Sequence, residues 1–544
     1  MSSLLIGINA KYIHPAMALY QLRANTKTDV DILEFTIKDA PNIIWETIKE
    51  TLSKKEYQLI GFSCYLWNIE IVLKLLPLIK RIFPIKVMLG GPEVEYDAKY
   101  YLTKYSFIDY IITSEGEDSF NELCLYLDNK LDIEQVSNLA YLNNGMFTFT
   151  HSAVPDLNKI KLATLDVKDR KNQIVYLESS RGCPYKCSYC TASLNNKLRF
   201  FPLEDVKRIL LELMNSKTKT VKFLDRTFNA NKTYMLEILS FINEYNLETT
   251  FQFEIVVDQL NSEIIEFINN LNYKWLRFEI GIQSVHDTVN QAVCRHQDMN
   301  KVTTNIKLLN ATGKVDLHVD LIAGLPHETL PLFKESFNQT FALACKELQL
   351  GFLKFLRGTK LLESVDEHRY IYSDNPPYEI ISNAYMSKQD LADIHSVENS
   401  LEKYYNSGRF VNTFCYLFDN HLINDYYNFF KLLSSNLQSN QLYDLFLHFD
   451  NIIKTHYLSQ YQMIHFHLII DYLQIHKTRP KYWWNESFTK EEKTVLYSQI
   501  INREQTLSLE DLYRYSVVIK NNSKVFVIIY KNYQPQSYFL TLNS

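Results

Sequence analysis

The chain reads as α/β over most of its length, with a doubly wound parallel sheet first, a second series of strand–helix units after it, and a mostly helical C-terminal region. Three observations predict this. Short apolar runs alternate with amphipathic helical spacing five times before residue 130. The same alternation resumes past a polar, charged stretch at 156–170. After about residue 385 the pattern changes to aromatic-rich segments of helical spacing.

Composition sets the bounds. At 544 residues the chain fits about three or four domains, and 46% hydrophobic with 22% charged residues excludes disorder. With 57 basic and 62 acidic residues the net charge is −5, so no global basic field points to a polynucleotide. Eight cysteines are too few for a disulfide scaffold, and no run nears the ~18 apolar residues a membrane span needs. The start, Met1-Ser-Ser-Leu-Leu-Ile-Gly, lacks a signal pattern, so a soluble cytoplasmic protein is expected. There are 13 glycines where ~7% would give about 38, which makes each glycine cluster informative.

In the first domain, 1–135, strand-like runs at 4–8, 30–35, 59–64, 86–89 and 110–112 alternate with helical segments at 16–23, 43–52, 69–82, from about 94, and 119–127. Apolar strands in β/α repeats imply a parallel sheet buried on both faces, the flavodoxin-like layout, whose ligands sit at the C-terminal strand ends. Those ends carry Asn9-Ala-Lys-Tyr-Ile-His14-Pro15, Ser63-Cys-Tyr-Leu-Trp67-Asn68, Gly90-Gly91-Pro92-Glu93 and Ser114-Glu115-Gly116-Glu117. A Gly-Gly pair lets backbone approach a bulky ligand; the alternative is a plain tight turn. The G-x-G-x-x-G phosphate fingerprint is absent, which argues against a dinucleotide.

In this order the segments resemble the cobalamin-binding domain that precedes radical S-adenosylmethionine (radical SAM) cores. The resemblance implies cobalamin held by Asn9, Trp67, Gly90, Gly91, Pro92 and Glu115, its tail entering the Gly90–Gly91 turn. The Asp-x-His-x-x-Gly motif that supplies an axial histidine is missing: Asp316-Leu-His318 lies far downstream, with Leu321 where Gly should be. His14, Tyr12 and Trp67 are unranked candidates to face the cobalt.

Residues 136–170 read as a linker with a small hairpin at 138–151 around Asn143-Asn144-Gly145. Past it, an apolar strand at 174–177 precedes Cys183-Pro-Tyr-Lys-Cys187-Ser-Tyr-Cys190. Three thiolates on one tight loop suit three irons of a [4Fe–4S] cube and leave the fourth iron open to substrate. Structural zinc prefers two ligand pairs, and no Cys or His in the next hundred residues completes such a set. Unrelated buried thiols are the remaining alternative. Tyr189, between the last two thiols, either lies against a ligand's ring or shields the cluster from water.

The C-x3-C-x2-C spacing in its Arg-Gly-Cys-Pro context resembles the radical SAM superfamily. Further strands are expected at 220–224, 249–256, 275–282, 315–322 and 347–355, making six β/α units of a partial barrel over 171–370. The resemblance implies S-adenosylmethionine as cosubstrate and gives strand ends roles. Asp225 could accept the methionine ammonium, or cap a turn; Arg226 could pair with a carboxylate. Glu254 sits in an apolar run, and Glu279, Gly281 and Gln283 share one face by period two. They could contact the ribose or substrate, or form an internal ion pair with Arg277 or Lys274. Gly324-Leu-Pro-His-Glu328-Thr resembles the segment that packs against adenine; Glu328 could equally open the next helix.

Pro376-Pro377 resembles a domain break, and 371–544 reads as an accessory domain. His465 and His467, two apart on a helix, do not share a face, and Trp483-Trp484 fits packing better than stacking on a substrate. The resemblance implies a cobalamin-dependent radical SAM enzyme that methylates an unactivated carbon, with an external electron donor such as flavodoxin or ferredoxin. The alternatives are a non-methylating cyclisation, rearrangement or redox reaction with the same cofactors, and a non-catalytic cobalamin-binding or sensing protein. Nothing indicates nucleic acid, and the substrate is unidentified.

Overall fold

A computed structural model describes the chain except residues 164–172, 247, 273, 436, 438, 485–487, 505, 532–533 and 542–544. Two compact units emerge: 1–336 with 343–388, and 337–342 with 389–544.

The first sheet begins with β1 (Ser2–Asn9), β2 (Asp29–Thr36), β3 (Leu59–Ser63), β4 (Lys86–Gly90) and β5 (Tyr110–Ile112). All pair in parallel in the order β2-β1-β3-β4-β5, the flavodoxin-like order. Helices α1 (Met17–Ala24), α2 (Pro41–Lys54), α3 (Ile69–Ile82), α4 (Ala98–Lys104) and α5 (Glu117–Leu127) cover both faces. Strand alternation sorts the core in two: Leu4, Ile6 and Ile8 pack with Ile48 and Leu76, while Leu5 packs with Leu19 and Phe120. The expected hairpin forms as β6 (Leu139–Asn143) and β7 (Met146–Phe149), joined through Asn144-Gly145. It adds antiparallel to β5, so the segment read as a linker begins as part of the sheet; its residues 164–170 lie outside the described residues.

The second sheet comprises β8 (Val175–Leu177), β11 (Thr220–Phe223), β12 (Thr250–Ile255), β13 (Leu276–Gln283), β14 (Val315–Ala323) and β15 (Glu347–Phe352); the two-residue strands β9 (Ser180–Arg181) and β10 (Arg199–Phe200) pair separately. Its order, β15-β14-β13-β12-β11-β8, is parallel and sequential, an open barrel of six strands as expected. Helices α6 (Leu203–Asn215), α7 (Lys232–Tyr245), α8 (Ser262–Asn269), α9 (Asp287–Ala292), α10 (Met299–Thr312) and α11 (Leu330–Phe341) intervene. Pro376-Pro377, read as a domain break, instead turns the hairpin of β16 (Ile371–Tyr372) and β17 (Ile380–Ser382) inside the first unit, because proline suits turns as well as linkers.

The second unit is mainly helical between 389 and 515 and ends in an antiparallel sheet of β18 (Ser516–Asn521), β19 (Lys524–Ile529) and β20 (Gln536–Thr541). Phe410, Phe414, Phe430, Phe446 and Phe449 are buried at its centre. Trp483 and Trp484 pack against an apolar cluster that includes Phe466 and Phe526. His465 Nδ1 lies 2.5 Å from an Asp450 oxygen, whereas His467 stacks on Tyr416, so the two histidines part as expected. Among the described residues no helix is long and apolar enough to cross a membrane.

Candidate active site

The three thiols sit on a loop tied at both ends. Its base is the β9–β10 pair, where Arg181 opposes Arg199, and the Cys183 amide donates to the Asn195 carbonyl at 3.0 Å. Gly182 has φ +92, and a Cβ there would collide with the Lys197 carbonyl, so only glycine closes this turn. Farther on, the Ser188 amide donates to Val293 O and the Leu361 amide to Ser188 O. Cys183 and Cys187 are buried, Cys190 is half-buried, and all three are free thiols. Among the described residues no three of His, Cys, Asp and Glu close on a single metal ion. A [4Fe–4S] cube binds each thiolate through a different iron, so a loop of three separated thiols fits that donor set.

Two groups reach the thiols from loops that follow β11 and α9. Thr227 Oγ1 is 3.4 Å from Cys183 Sγ, and Arg295 Nη1 is 4.0 Å from Cys187 Sγ. Arg295 also donates to Gly281 O and to Gln297 Oε1, and it contacts the Tyr189 phenol. No carboxylate pairs with it among the described residues. Burial opposes its charge, but the phenol and thiol beside it hold its pKa up. Tyr189 is thus set between the cluster loop and this guanidinium, and burial raises its phenol.

The sheet below is apolar toward its helices and polar on the opposite face. Register aligns Tyr176, Lys222, Gln252, Arg277 and Asp316 in one row, Glu254, Glu279, His318 and Glu347 in the next, and Gly281, Asp320 and Gln349 in a third. Lower groups are matched. Lys222 donates to both Glu279 oxygens at 2.9 and 2.8 Å, and Gln252 donates to the same carboxylate. The expected partners of Glu279, Arg277 and Lys274, pair instead with Asp316, because register sets them beside it. His318 Nδ1 is 3.1 Å from Glu347, and burial pushes its pKa down to about 4.

Upper groups are open. Asp320 and Glu254 have no hydrogen-bond partner among the described residues; Arg226 approaches Glu254 only to 3.8 Å. Burial first, then the Glu279 and Glu254 charges, push Asp320 up to about 7. Gln283 departs from the expected alternation: the pairing shifts between Gly281 and Gln283, and Gln283 has φ +67 and a buried, unpartnered Oε1.

Asp225 is bonded to protein groups on the neighbouring segment. It accepts from the Ser179 amide at 2.9 Å and from the Ser179 and Ser180 hydroxyls at 2.6 and 2.5 Å, so it braces the approach to the cysteines rather than receiving an ammonium. Glu328 is not a helix-opening surface residue: it is fully buried, bonded to Ser284 and Ser336, and pushed up to about 8 by burial. Gly324 lies against Ile380, its carbonyl accepting from Asn383.

The strand ends of the first sheet meet this polar face. The Tyr176 hydroxyl lies 2.6 Å from His14 Nδ1, and burial lowers the His14 pKa. Gln173 donates to Tyr12 O, and the Ile174 amide to Ile13 O. Tyr65, whose phenol is raised by burial and feels Arg226, stacks on Trp67 at 4.4 Å. Trp67 donates to Ile8 O, and Asn9 donates to Glu34. Tyr12 is exposed. At Gly91, φ +109, a Cβ would sit 2.7 Å from Cys64 O, so this glycine accommodates the chain's own backbone rather than a ligand. At Gly90 a Cβ would lie in ordinary contact, 3.7 Å from Ile112 O, and Pro92 is exposed. Glu115, expected at cobalamin, bonds to Arg181 at 2.7 Å and to Arg199 on the cysteine loop. Sequence reasoning missed Arg295, Lys222 and the role of the Arg181 side chain; single cations in loops or alternating strands leave no spacing signal.

Residues 4–124 match the family model for the B12 binding domain, 177–339 that for the radical SAM superfamily, and 366–532 that for a protein of unknown function, DUF4080. The chain carries a B12 binding domain over 4–124 and a radical SAM domain over 177–339. The chain is 24% identical over 288 residues to an uncharacterized methyltransferase of Pyrococcus horikoshii, spanning 50% of this chain and 60% of that one. It is 27% identical over 150 residues to the cobalamin-dependent radical SAM methyltransferase TokK of Streptomyces tokunonensis, 25% of this chain and 22% of that one. A match at 27% over 172 residues, 30% of this chain and 32% of the other, is to an anaerobic magnesium-protoporphyrin IX monomethyl ester cyclase of Synechocystis. The chain therefore spans less than two thirds of these relatives. Among solved structures, the cobalamin-dependent S-adenosylmethionine radical enzyme OxsB aligns over 87% of this chain and 80% of its own, at TM-score 0.64 and 14% identity. The methyltransferase TsrM of Kitasatospora setae aligns over 68% and 76%, at 0.59 and 14%. At these identities the likeness is one of fold.

Proposed function

We propose that this chain is a cobalamin-dependent radical SAM enzyme that transfers a methyl group to an unactivated carbon of its substrate. The observation that carries the reading is the union of a three-thiol loop and B12-type strand ends over one polar sheet face, joined by His14 with Tyr176 and by Arg181 with Glu115. When bound, the cluster with S-adenosylmethionine supplies one-electron hydrogen abstraction and cobalamin supplies the methyl carrier.

The residues then have these tasks. Cys183, Cys187 and Cys190 hold the cluster. Arg295, a half-buried guanidinium with no carboxylate partner among the described residues, receives the methionyl carboxylate, since charge-assisted pairing favours that match. The free Oε1 of Gln283 and the open Asp320 accept from hydroxyls on the sheet face. Tyr65 and Trp67 wall the space between the two sheets and exclude water. Cobalamin seats at the strand ends by Asn9, Gly90 and Pro92. An external donor, a flavodoxin or ferredoxin, delivers electrons.

The test is anaerobic purification with hydroxocobalamin, followed by iron–sulfur reconstitution. The expected result is about four irons and one corrinoid per chain, loss of all cluster iron in Cys187→Ala, and 5′-deoxyadenosine with a methylated product when reductant, S-adenosylmethionine and a metabolite extract are supplied. Failure to bind corrinoid removes methyl transfer through cobalt. The Synechocystis relative's name supports a second reading, a cobalamin-dependent cyclisation, and deoxyadenosine formed without any methylated product would select it.

A further inference from the structure

The cysteine loop and the B12-binding domain share an ion network that neither motif announces. Arg181, one residue before Gly182-Cys183, has only a tenth of its side chain exposed. Its Nη1 donates to Glu115 at 2.7 Å and to Glu117 at 3.2 Å, its Nη2 to Glu117 at 2.5 Å, and Nε and Nη2 to Glu178 at 3.0 and 2.9 Å. Arg199, opposite Arg181 in the pair that closes the loop, also bonds to Glu115. Asn195 donates to Glu115 at 3.4 Å while its carbonyl holds the Cys183 amide. One carboxylate thus touches three residues of the cysteine loop. That carboxylate belongs to the turn between β5 and α5, a strand end where ligands of a doubly wound sheet seat.

We infer that Glu115, with Glu117, Arg181 and Arg199, makes cluster binding and cobalamin binding mutually favourable; these are positioning residues, and the inference rests on the proposed two-cofactor reading. A ligand that orders the 113–117 turn orders both glutamates. They set the two arginines, and the arginines close the base of the loop. Broken, the network leaves buried charges unmatched, so each half resists moving without the other. Linkage requires the effect to be reciprocal: cobalamin stabilises the cluster by the factor by which the cluster tightens cobalamin.

The test uses the full chain with hydroxocobalamin as probe. Its dissociation constant is measured by equilibrium dialysis on protein with the cluster reconstituted and on protein stripped by a chelator. In the reverse arm, the half-life of iron release to the chelator is measured with and without hydroxocobalamin. The wild-type protein is expected to bind about tenfold tighter with the cluster present. Glu115→Gln, which keeps the shape and one acceptor, is expected to bring that ratio below about twofold while still taking up each cofactor alone. Arg199→Gln tests the same link if Glu115→Gln does not fold. Lys207→Gln, in a surface pair with Glu237, should leave the ratio unchanged. A wild-type ratio near one, an unchanged ratio in both network variants, or a changed ratio in Lys207→Gln overturns the coupling. A wild-type chain that binds no corrinoid or no iron overturns the two-cofactor reading itself.

Discussion

The first unit holds two large sheets whose strands run mostly in parallel, and they place polar groups differently. In the first, β3 is Leu59-Ile-Gly-Phe-Ser63, buried at every position, and β1 is buried over six of its eight residues. In the second, β13 alternates buried Leu276, Phe278, Ile280 and Ile282 with less buried Arg277, Glu279 and Gly281. The central strands of a sheet covered by helices on both faces have no place for charge, so its ligand-facing groups collect at the strand ends. A sheet with one face open carries polar side chains along the strand, and cross-strand partners keep them stable there.

The largest way to break this contrast is a charge in the first sheet. Ile60→Asp puts a carboxylate in a fully buried site with no cation and should cost roughly 4–5 kcal/mol or prevent folding. Denaturant unfolding, or loss of soluble protein, reads this out. The same charge type is native in the second sheet, where the cost comes from removing its partner. Lys222→Met leaves Glu279 with Gln252 alone and should cost roughly 2–3 kcal/mol, below the range for fully buried pairs because about a fifth of each side chain is exposed. Adding Glu279→Gln should recover part of that loss, and unchanged stability in the double variant would show that the pair is not coupled.

A pH-dependent effect sharpens the comparison further. Asp320 is pushed up to about 7 in the folded chain, above the usual carboxylate value of about 4. Between those values the folded state holds the proton more tightly than the unfolded state. Its contribution to stability is therefore full at low pH and lost as pH rises toward about 7. Asp320→Asn removes this slope, so thermal midpoints of variant and wild type should draw apart from pH 4 to pH 7, with the variant gaining. Parallel curves would show that burial and the neighbouring Glu279 and Glu254 do not raise Asp320.

Much of the fold was legible because it rests on local pattern. Apolar runs of strand length, such as Leu59–Ser63, and helical stripes, such as Ile69–Ile82, announce themselves within one segment. The cysteine loop was legible because three cysteines within eight residues share one loop whatever the rest of the chain does. The hairpin at Asn144-Gly145 was legible as a turn, but its joining of the first sheet was not, since an edge position depends on what β5 leaves unpaired. The protein partners of Asp225 and Glu115 were not legible for a related reason. Each stands at a strand end, where a ligand role is reasonable, and each is taken by protein groups the spacing does not reveal.

The sequence by itself determined the strand and helix segments, the parallel β/α succession, the three-thiol loop and the family resemblance. Only the tertiary structure decided the pairings. Lys222 meets Glu279 across 57 residues, Arg181 meets Glu115 across 66, and Arg295 reaches Cys187 across 108. Periodicity acts over a few residues, so it tells which way a side chain points. Which charge it meets there depends on strand order and register, and those follow from packing the whole unit at once.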